Sequence, residues 1–370
     1  MIGQWFGFVN GTNRGVVTLN FETDITDING MIGGRAMFMA HGEGHVNFYC
    51  IIKCKIVDGR IEGTLHDFFF YDYSKHLLMN YVDFKTYYPD SGIPKEGMFK
   101  GELKNNTIGG SWKTDVGTQG TFIVSRSKID EEKTADYSKT WDSFREWVAK
   151  NSDGDRAIIY RGQSNPRHRL QTTFHRTGRN DIIRYAQTDI NILAHHINAI
   201  SNYKYDLSKK DDFYAILNLS QHHGYPTPLL DWKESPYVAA YFAYRNVEKK
   251  EDAGQVRIFS LNTTAWIQRC RPVESLLDPS PSITVSVLPA INNNRAIPQQ
   301  SVSTLSNIND MEGFIELHES TFHEKYLTRI DLPISDRNKA MKELQSMGIT
   351  AASLFTGFDG VCDYLKERYF

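Results

Sequence analysis

Gln221-His222-His223-Gly224-Tyr225-Pro226-Thr227-Pro228-Leu229-Leu230-Asp231-Trp232-Lys233-Glu234-Ser235-Pro236, running on through Tyr237-Val238-Ala239-Ala240-Tyr241-Phe242-Ala243, organises the chain. Gly224 and Pro226 mark a turn. Leu229-Leu230 is short and apolar, as a buried strand is. Ser235-Pro236 reads as a helix start. A Ser at the N-cap accepts a bond from a free backbone N–H, and Pro at the first position loses no intrahelical bond. Val238, Ala239, Phe242 and Ala243 then give an apolar face at helical spacing. Asp231, Trp232 and Ser235 are therefore expected at a strand-to-helix corner, where free N–H groups and the helix dipole favour an anionic ligand. The plain structural alternative is that Ser235 only caps, Trp232 only packs and Asp231 only pairs with a buried cation.

Upstream, Ala157-Ile158-Ile159-Tyr160 reads as a short buried strand that delivers Arg161-Gly162, after a turn at 153–155. A buried guanidinium needs a partner, and its fork matches phosphate and carboxylate alike. Arg161 is thus either a structural partner of Asp231 or a holder of an anionic ligand. Gly162 permits close backbone approach just after it. Phe174-His175-Arg176 forms a second candidate ligand-facing segment. Helices are expected over 141–150, 181–199 and 211–222, with another starting at Ser335 and a last one capped by Asp359. Strands are expected over 254–261, 283–288, 314–317 and 326–330. A loop at 292–295 leads through Gln299-Gln300 into a further strand.

Tyr160-Arg161-Gly162, Gln221-His222-His223-Gly224 and the run from Leu229 to Pro236 resemble the FRG domain family, a bacterial domain named for its Phe/Tyr-Arg-Gly motif. The resemblance runs from about Trp141 to the end of the sequence, with Pro228 standing where the family usually has Arg. The order of motifs is also similar to that of ADP-ribosyltransferases. Those enzymes use a strand bearing Arg or His, a polar corner before a buried Ala/Phe helix, and a third strand with Glu or Gln. This implies a catalytic set of Arg161, Asp231 and Gln299 or Gln300. It also implies an NAD-binding set of Tyr160, Arg161, Gly162, His175, Trp232, Ser235 and Tyr241. In that scheme Arg161 holds an NAD phosphate or ribose, Trp232 or a Tyr stacks on nicotinamide, and the third-strand residue orients the ribose 2′-OH. Cleavage passes through an oxocarbenium-like state that a neighbouring carboxylate stabilises. Gln299 and Gln300 carry no charge where the usual residue is Glu, which leaves Asp231 to supply it. The implied protein is an ADP-ribosyltransferase-like or NAD-consuming effector, of the kind found in bacterial toxin or phage-defence systems. The competing class is a non-catalytic FRG module that recognises a nucleotide or a protein. A nuclease is disfavoured, because no carboxylate cluster for a metal is evident.

Residues 1–127 read differently. Runs rich in β-branched and aromatic residues over 4–9, 16–21, 45–55, 60–71, 79–87, 98–103, 107–113 and 120–124 alternate with Gly, Asn and Asp turns. Asp58-Gly59 and Asn105-Asn106 offer the positive φ values of type I′ hairpins. An antiparallel barrel or sandwich is expected, with Trp5 and Trp112 at its closure seam. On the strand carrying Phe68-Phe69-Phe70-Tyr71, alternation puts Phe68 and Phe70 on one face, to fill the barrel, and Phe69 and Tyr71 on the other, to meet the second domain. A ligand pocket or sensor surface is the sharper alternative. His41-Gly42-Glu43-Gly44-His45 places two His around a Gly-rich turn but offers no complete ligand set, so no metal is expected.

The whole is α+β: an all-β domain at 1–127, a polar linker at 128–140 and an FRG domain at 141–370. With 370 residues, 40% hydrophobic and 23% charged, the chain is long enough for two cores. A net charge of −2 gives no global field toward nucleic acid or membrane. No apolar run spans a bilayer. The opening residues lack the basic and apolar regions of a secretory signal. A cytoplasmic protein with four reduced cysteines is expected, its partners a nucleotide or small molecule and a protein target or trigger.

Overall fold

A computed structural model describes all residues except 27–30, 43–45, 152–157, 248–252, 292–297, 356 and 370. The expected turn at 153–155, the loop at 292–295 and residues 43–45 of the two-His turn lie outside the described residues. The first sheet comprises β1 (Gly3–Gly11), β2 (Gly15–Thr26), β3 (Ile32–Ala40), β4 (Phe48–Val57), β5 (Arg60–Asp72), β6 (Leu77–Asn80), β7 (Gly97–Lys104), β8 (Thr107–Thr114) and β9 (Gln119–Arg126). In the order β1-β2-β3-β4-β5-β7-β8-β9 each strand pairs antiparallel with the next, and β9 returns to β1, so the sheet closes into a barrel. Closure leaves no long free edge. Asp58 and Gly59, at φ 49° and 76°, and Asn105 and Asn106, at 46° and 60°, make the tight hairpins that join β4 to β5 and β7 to β8.

Phe68 and Phe70 are buried in the barrel core, while Phe69 points outward and stacks on Tyr49 at 4.8 Å. Tyr49 and Phe69 join Ile182, Ile183 and Tyr185 of the second unit in one apolar cluster. Trp5 and Trp112 flank the closing strand β9 from its two sides rather than meeting each other. Residues 79–87 do not form one strand: β6 ends at Asn80 and helix α1 (Tyr81–Tyr87) follows. Asn80 Oδ1 accepts from the Asp83 N–H, and this cap outweighs the aromatic content that suggested a strand.

The second sheet comprises β10 (Tyr137–Ser138), β11 (Ile158–Gln163), β12 (Leu229–Lys233), β13 (Gln255–Asn262), β14 (Ile283–Ser286), β15 (Ser301–Ser306) and β16 (Leu327–Pro333), in the order β10-β16-β13-β11-β12-β15-β14. Around it lie α2 (Trp141–Asn151), α3 (Thr173–Arg176), α4 (Ile182–Arg184), α5 (Ile190–Ile200), α6 (Lys210–His222), α7 (Pro236–Arg245), α8 (Thr263–Arg269), α9 (Met311–Phe322), α10 (Arg337–Ser346), α11 (Ala351–Leu354) and α12 (Phe358–Tyr369). The helix expected over 181–199 is interrupted between α4 and α5 by a π-helical turn at Tyr185–Asp189. Residues 314–317 lie in α9, not in a strand, because Asp310 caps a helix there by accepting from the Gly313 N–H. Ser335 sits in a 3-10 turn before α10, and Asp359 sits inside α12, so neither is the expected cap.

The stretch 128–140 is polar, but it is fastened along the second sheet. Arg169 Nη1 donates to the carbonyls of Lys128 and Glu131, and Arg257 Nη1 donates to that of Lys133. Asp136 accepts from the Arg329 N–H, and β10 pairs with β16. The division of the chain at this stretch is a proposal with a direct check. Fragment 128–370 should unfold cooperatively and be more stable than fragment 141–370 by at least about 3 kcal/mol, since the shorter piece loses these hydrogen bonds from buried groups and the β10–β16 pairing. Equal denaturation midpoints for the two fragments would contradict this.

Candidate functional site

β11 and β12 are neighbours that pair at one position, Tyr160 with Lys233. Beyond it the strands part, and a cavity of about 340 Å³ lies between them. Its lining includes Arg161, Gln163, Arg176, Asp231, Lys233 and Gln299. The parting leaves a strand carbonyl without a ladder partner, and such a group must be satisfied by other means. Arg161 Nη1 does this, donating to the Asp231 carbonyl at 2.6 Å. The Asp231 carboxylate is held separately: Gln221 Nε2 donates to it at 2.6 Å, and Thr227 Oγ1 donates to Gln221 Oε1 at 3.0 Å. Gln221 and Thr227 of the organising stretch therefore share one physical role, which is to aim Asp231.

Lys233 is buried, and its Nζ donates to Gln299 Oε1 at 3.1 Å and Ser301 Oγ at 2.9 Å. The ammonium also lies 4.9 Å from the centre of the Phe242 ring. Burial pulls its pKa down to about 8, with Arg161 acting in the same direction and Asp231 opposing. Burial likewise lowers Arg161 to about 10, with Arg176 adding to the effect and Asp231 opposing it. Arg161 Nε and both amide atoms of Gln163 are buried without a hydrogen-bond partner. Three cationic side chains thus converge around one carboxylate, with donors to spare. That is an arrangement for an anion.

The structure brings Arg161, Gly162, Asp231 and Gln299 together and leaves the other candidates elsewhere. Asp231 and Trp232 lie within β12, not at a corner, and alternation along the strand sends them to opposite faces. Trp232 is fully buried with Phe259 and Ile315, its Nε1 donating to Thr304 Oγ1, so it cannot stack on a ligand in this cavity. Tyr160 is buried in the core under α7, and Tyr241, on α7, is buried in the same core with its hydroxyl donating to Glu367. Ser235 caps α7 by accepting from the Val238 N–H and does not line the cavity. His175 is buried beside Thr172 at 2.7 Å, off the cavity wall, and burial holds its pKa down at about 3. Gln300 occupies a turn before β15 at φ 49°, outside the cavity. Gln299 reaches the cavity from that same turn, not from a strand. Gly162 is needed for packing: a Cβ there would lie 1.9 Å from the Ala239 carbonyl oxygen, so α7 sits directly on β11.

Lys233, Gln163 and Gln221 were not assigned to the site from sequence, and of the candidate segment Phe174-His175-Arg176 only Arg176 lines the cavity. Lys233 had a signal: it is two residues from Asp231 and so shares its strand face. Among the described residues no group of three or more His, Cys, Asp or Glu side chains is placed to hold a metal ion, and no helix is long and apolar enough to cross a membrane. Residues 156–252 match the FRG domain family, a span that carries Arg161, Arg176, Gln221, Asp231 and Lys233. No curated protein matches the chain.

Proposed function

We propose that the FRG domain of this chain binds NAD or a related nucleotide through its phosphates, in the cleft between β11 and β12. One observation carries the reading: Arg161, Arg176 and Lys233 line a cavity on whose wall Asp231 is the single acidic side chain among the described residues. Buried cations without full compensation are unfavourable, and a phosphate restores the balance. A catalytic extension rests on Asp231. Its carboxylate lines the cavity and is fixed by Gln221, so it is the group able to stabilise an oxocarbenium-like ribose as the nicotinamide bond breaks. The protein would then be an ADP-ribosyltransferase-like or NAD-consuming effector in a toxin or phage-defence system, with the barrel as its sensing or targeting module.

Contact between the two units favours that last element. Glu22 of the barrel accepts from the N–H groups of Asn180 and Asp181, and Arg35 pairs with the Asp181 carboxylate at 3.0 Å. These residues follow closely on Arg176 of the cavity. The non-catalytic module uses the same site without the chemistry.

Calorimetric titration with NAD is the test. Lys233 is charged below about pH 8 and neutral above, so an anion must restore its proton at higher pH. Arg161, at about 10, stays mostly charged up to pH 9. Affinity should therefore fall about tenfold between pH 7 and pH 9 in the wild type and change little over that range in Lys233→Met. Absence of NAD binding by the folded protein at millimolar concentration would overturn the proposal. Release of nicotinamide separates the enzyme from the module.

A further inference from the structure

The barrel has an interior cavity of about 120 Å³, lined by side chains that include Ala36, Phe38, Cys50, Ile52, Phe68 and Trp112. Protein interiors leave few voids larger than a water molecule. An eight-stranded barrel is just wide enough either to fill with side chains or to hold one small ligand. This one is incompletely filled. An apolar cavity of roughly 150 Å³ stays dry and takes up benzene, so the space here suits an occupant of about one ring.

Two features give the cavity a direction. At one end of the barrel, where β1 turns into β2 and β8 into β9, its lining becomes polar at Asn13, Thr114 and Thr118, beside the exposed Gly92. The Thr114 and Thr118 hydroxyls bond each other at 2.6 Å and are spoken for. Trp112 is different: its indole Nε1 is buried and has no hydrogen-bond acceptor. Indole Nε1–H can only donate, and a buried donor left unpaired is unfavourable. We propose that the barrel interior is a binding site for a small, mainly apolar molecule of about one ring, carrying a hydrogen-bond acceptor that Trp112 engages. Because this cavity and the cleft between β11 and β12 share no lining residue, the proposal stands or falls separately from nucleotide binding.

Acetophenone and α-methylstyrene have nearly the same shape, and only acetophenone has a carbonyl acceptor. Each is titrated into the 370-residue chain labelled with ¹⁵N at the indole nitrogens, and the indole N–H resonances are followed. Acetophenone should shift the resonance that is missing from Trp112→Phe. It should bind about three- to tenfold more tightly than α-methylstyrene, as one neutral hydrogen bond predicts, and lose that preference in Trp112→Phe. Ala36→Leu adds bulk inside the barrel and should weaken both compounds about tenfold, with NAD binding unchanged. Thermal melting confirms that each variant is folded. Trp112 is only partly buried, so its variant keeps the test decisive if Ala36→Leu fails to fold. No shift of any indole resonance by either compound at millimolar concentration would overturn the site. Equal affinity of the two compounds would overturn the Trp112 contact.

Discussion

Arg161→Ala is expected to abolish nucleotide binding while the protein stays folded. Among the described residues the Arg161 side chain makes one hydrogen bond, to the Asp231 carbonyl, and its Nε is left over in the cleft. Truncation therefore leaves one strand carbonyl to be satisfied by water, at about 1–3 kcal/mol. A phosphate would lose a charge-assisted contact worth about 2–5 kcal/mol, or more than thirtyfold in affinity. Sequence reasoning left a second possibility, in which Arg161 is the structural counter-charge of the Asp231 carboxylate. The geometry does not have that form, because Gln221 holds the carboxylate and the guanidinium goes to the main chain. If Arg161 were structural, its removal would lower stability by about 3–5 kcal/mol and leave binding by the folded fraction intact. Denaturant unfolding and NAD titration on the same sample decide between the two outcomes.

The barrel was legible because its signals are local. Asp58-Gly59 and Asn105-Asn106 specify tight hairpins on their own, and the alternation at Phe68–Tyr71 correctly assigns an inner and an outer face. β3 was missed, since Gly33-Gly34-Arg35-Ala36-Met37 has little strand propensity, and its place is set by pairing with β2 and β4. The run Phe314-Ile315-Glu316-Leu317 shows the opposite failure, because a short apolar run fits strand and helix equally well and only the cap at Asp310 decides.

At the candidate site, Arg161 and Asp231 were legible for a chemical reason: a charge embedded in an apolar strand demands an explanation. The aromatic residues beside them were misplaced because the strand was ended too early. With β12 continuing to Lys233, period-two alternation turns Leu230 and Trp232 to the core and Asp231 and Lys233 to the cleft. Tyr160 shares a face with Lys233, its cross-strand partner, but α7 covers it. Gln299 was found, though by an expected strand that turned out to be a turn. Of the candidate segment Phe174-His175-Arg176 only Arg176 reaches the cavity wall, which depends on how α3 is held against the Thr227 main chain by Thr173 and Phe174.

Glu312→Ala should be among the most destabilising single substitutions in the second unit, at about 3–5 kcal/mol. Glu312 is fully buried at the start of α9. One carboxylate oxygen accepts from Arg169 Nε at 2.9 Å and from the Leu170 N–H at 2.9 Å. The other accepts from Arg329 Nε at 2.6 Å. Arg169 and Arg329 are themselves buried, and Arg169 also holds the 128–131 stretch through two carbonyls. Removing the carboxylate leaves two buried guanidinium groups with less counter-charge and also loosens the segment that leads out of the barrel. The penalty comes mainly from those stranded charges, so it should shrink when one of them is also removed. In Glu312→Ala with Arg329→Met, the loss measured by equilibrium unfolding should be smaller than the sum of the two single losses by about 1–3 kcal/mol. Strict additivity would mean that the three side chains do not act as one unit. The cleft between β11 and β12 lies outside this network, so NAD affinity of the folded Glu312→Ala protein should be close to that of the wild type.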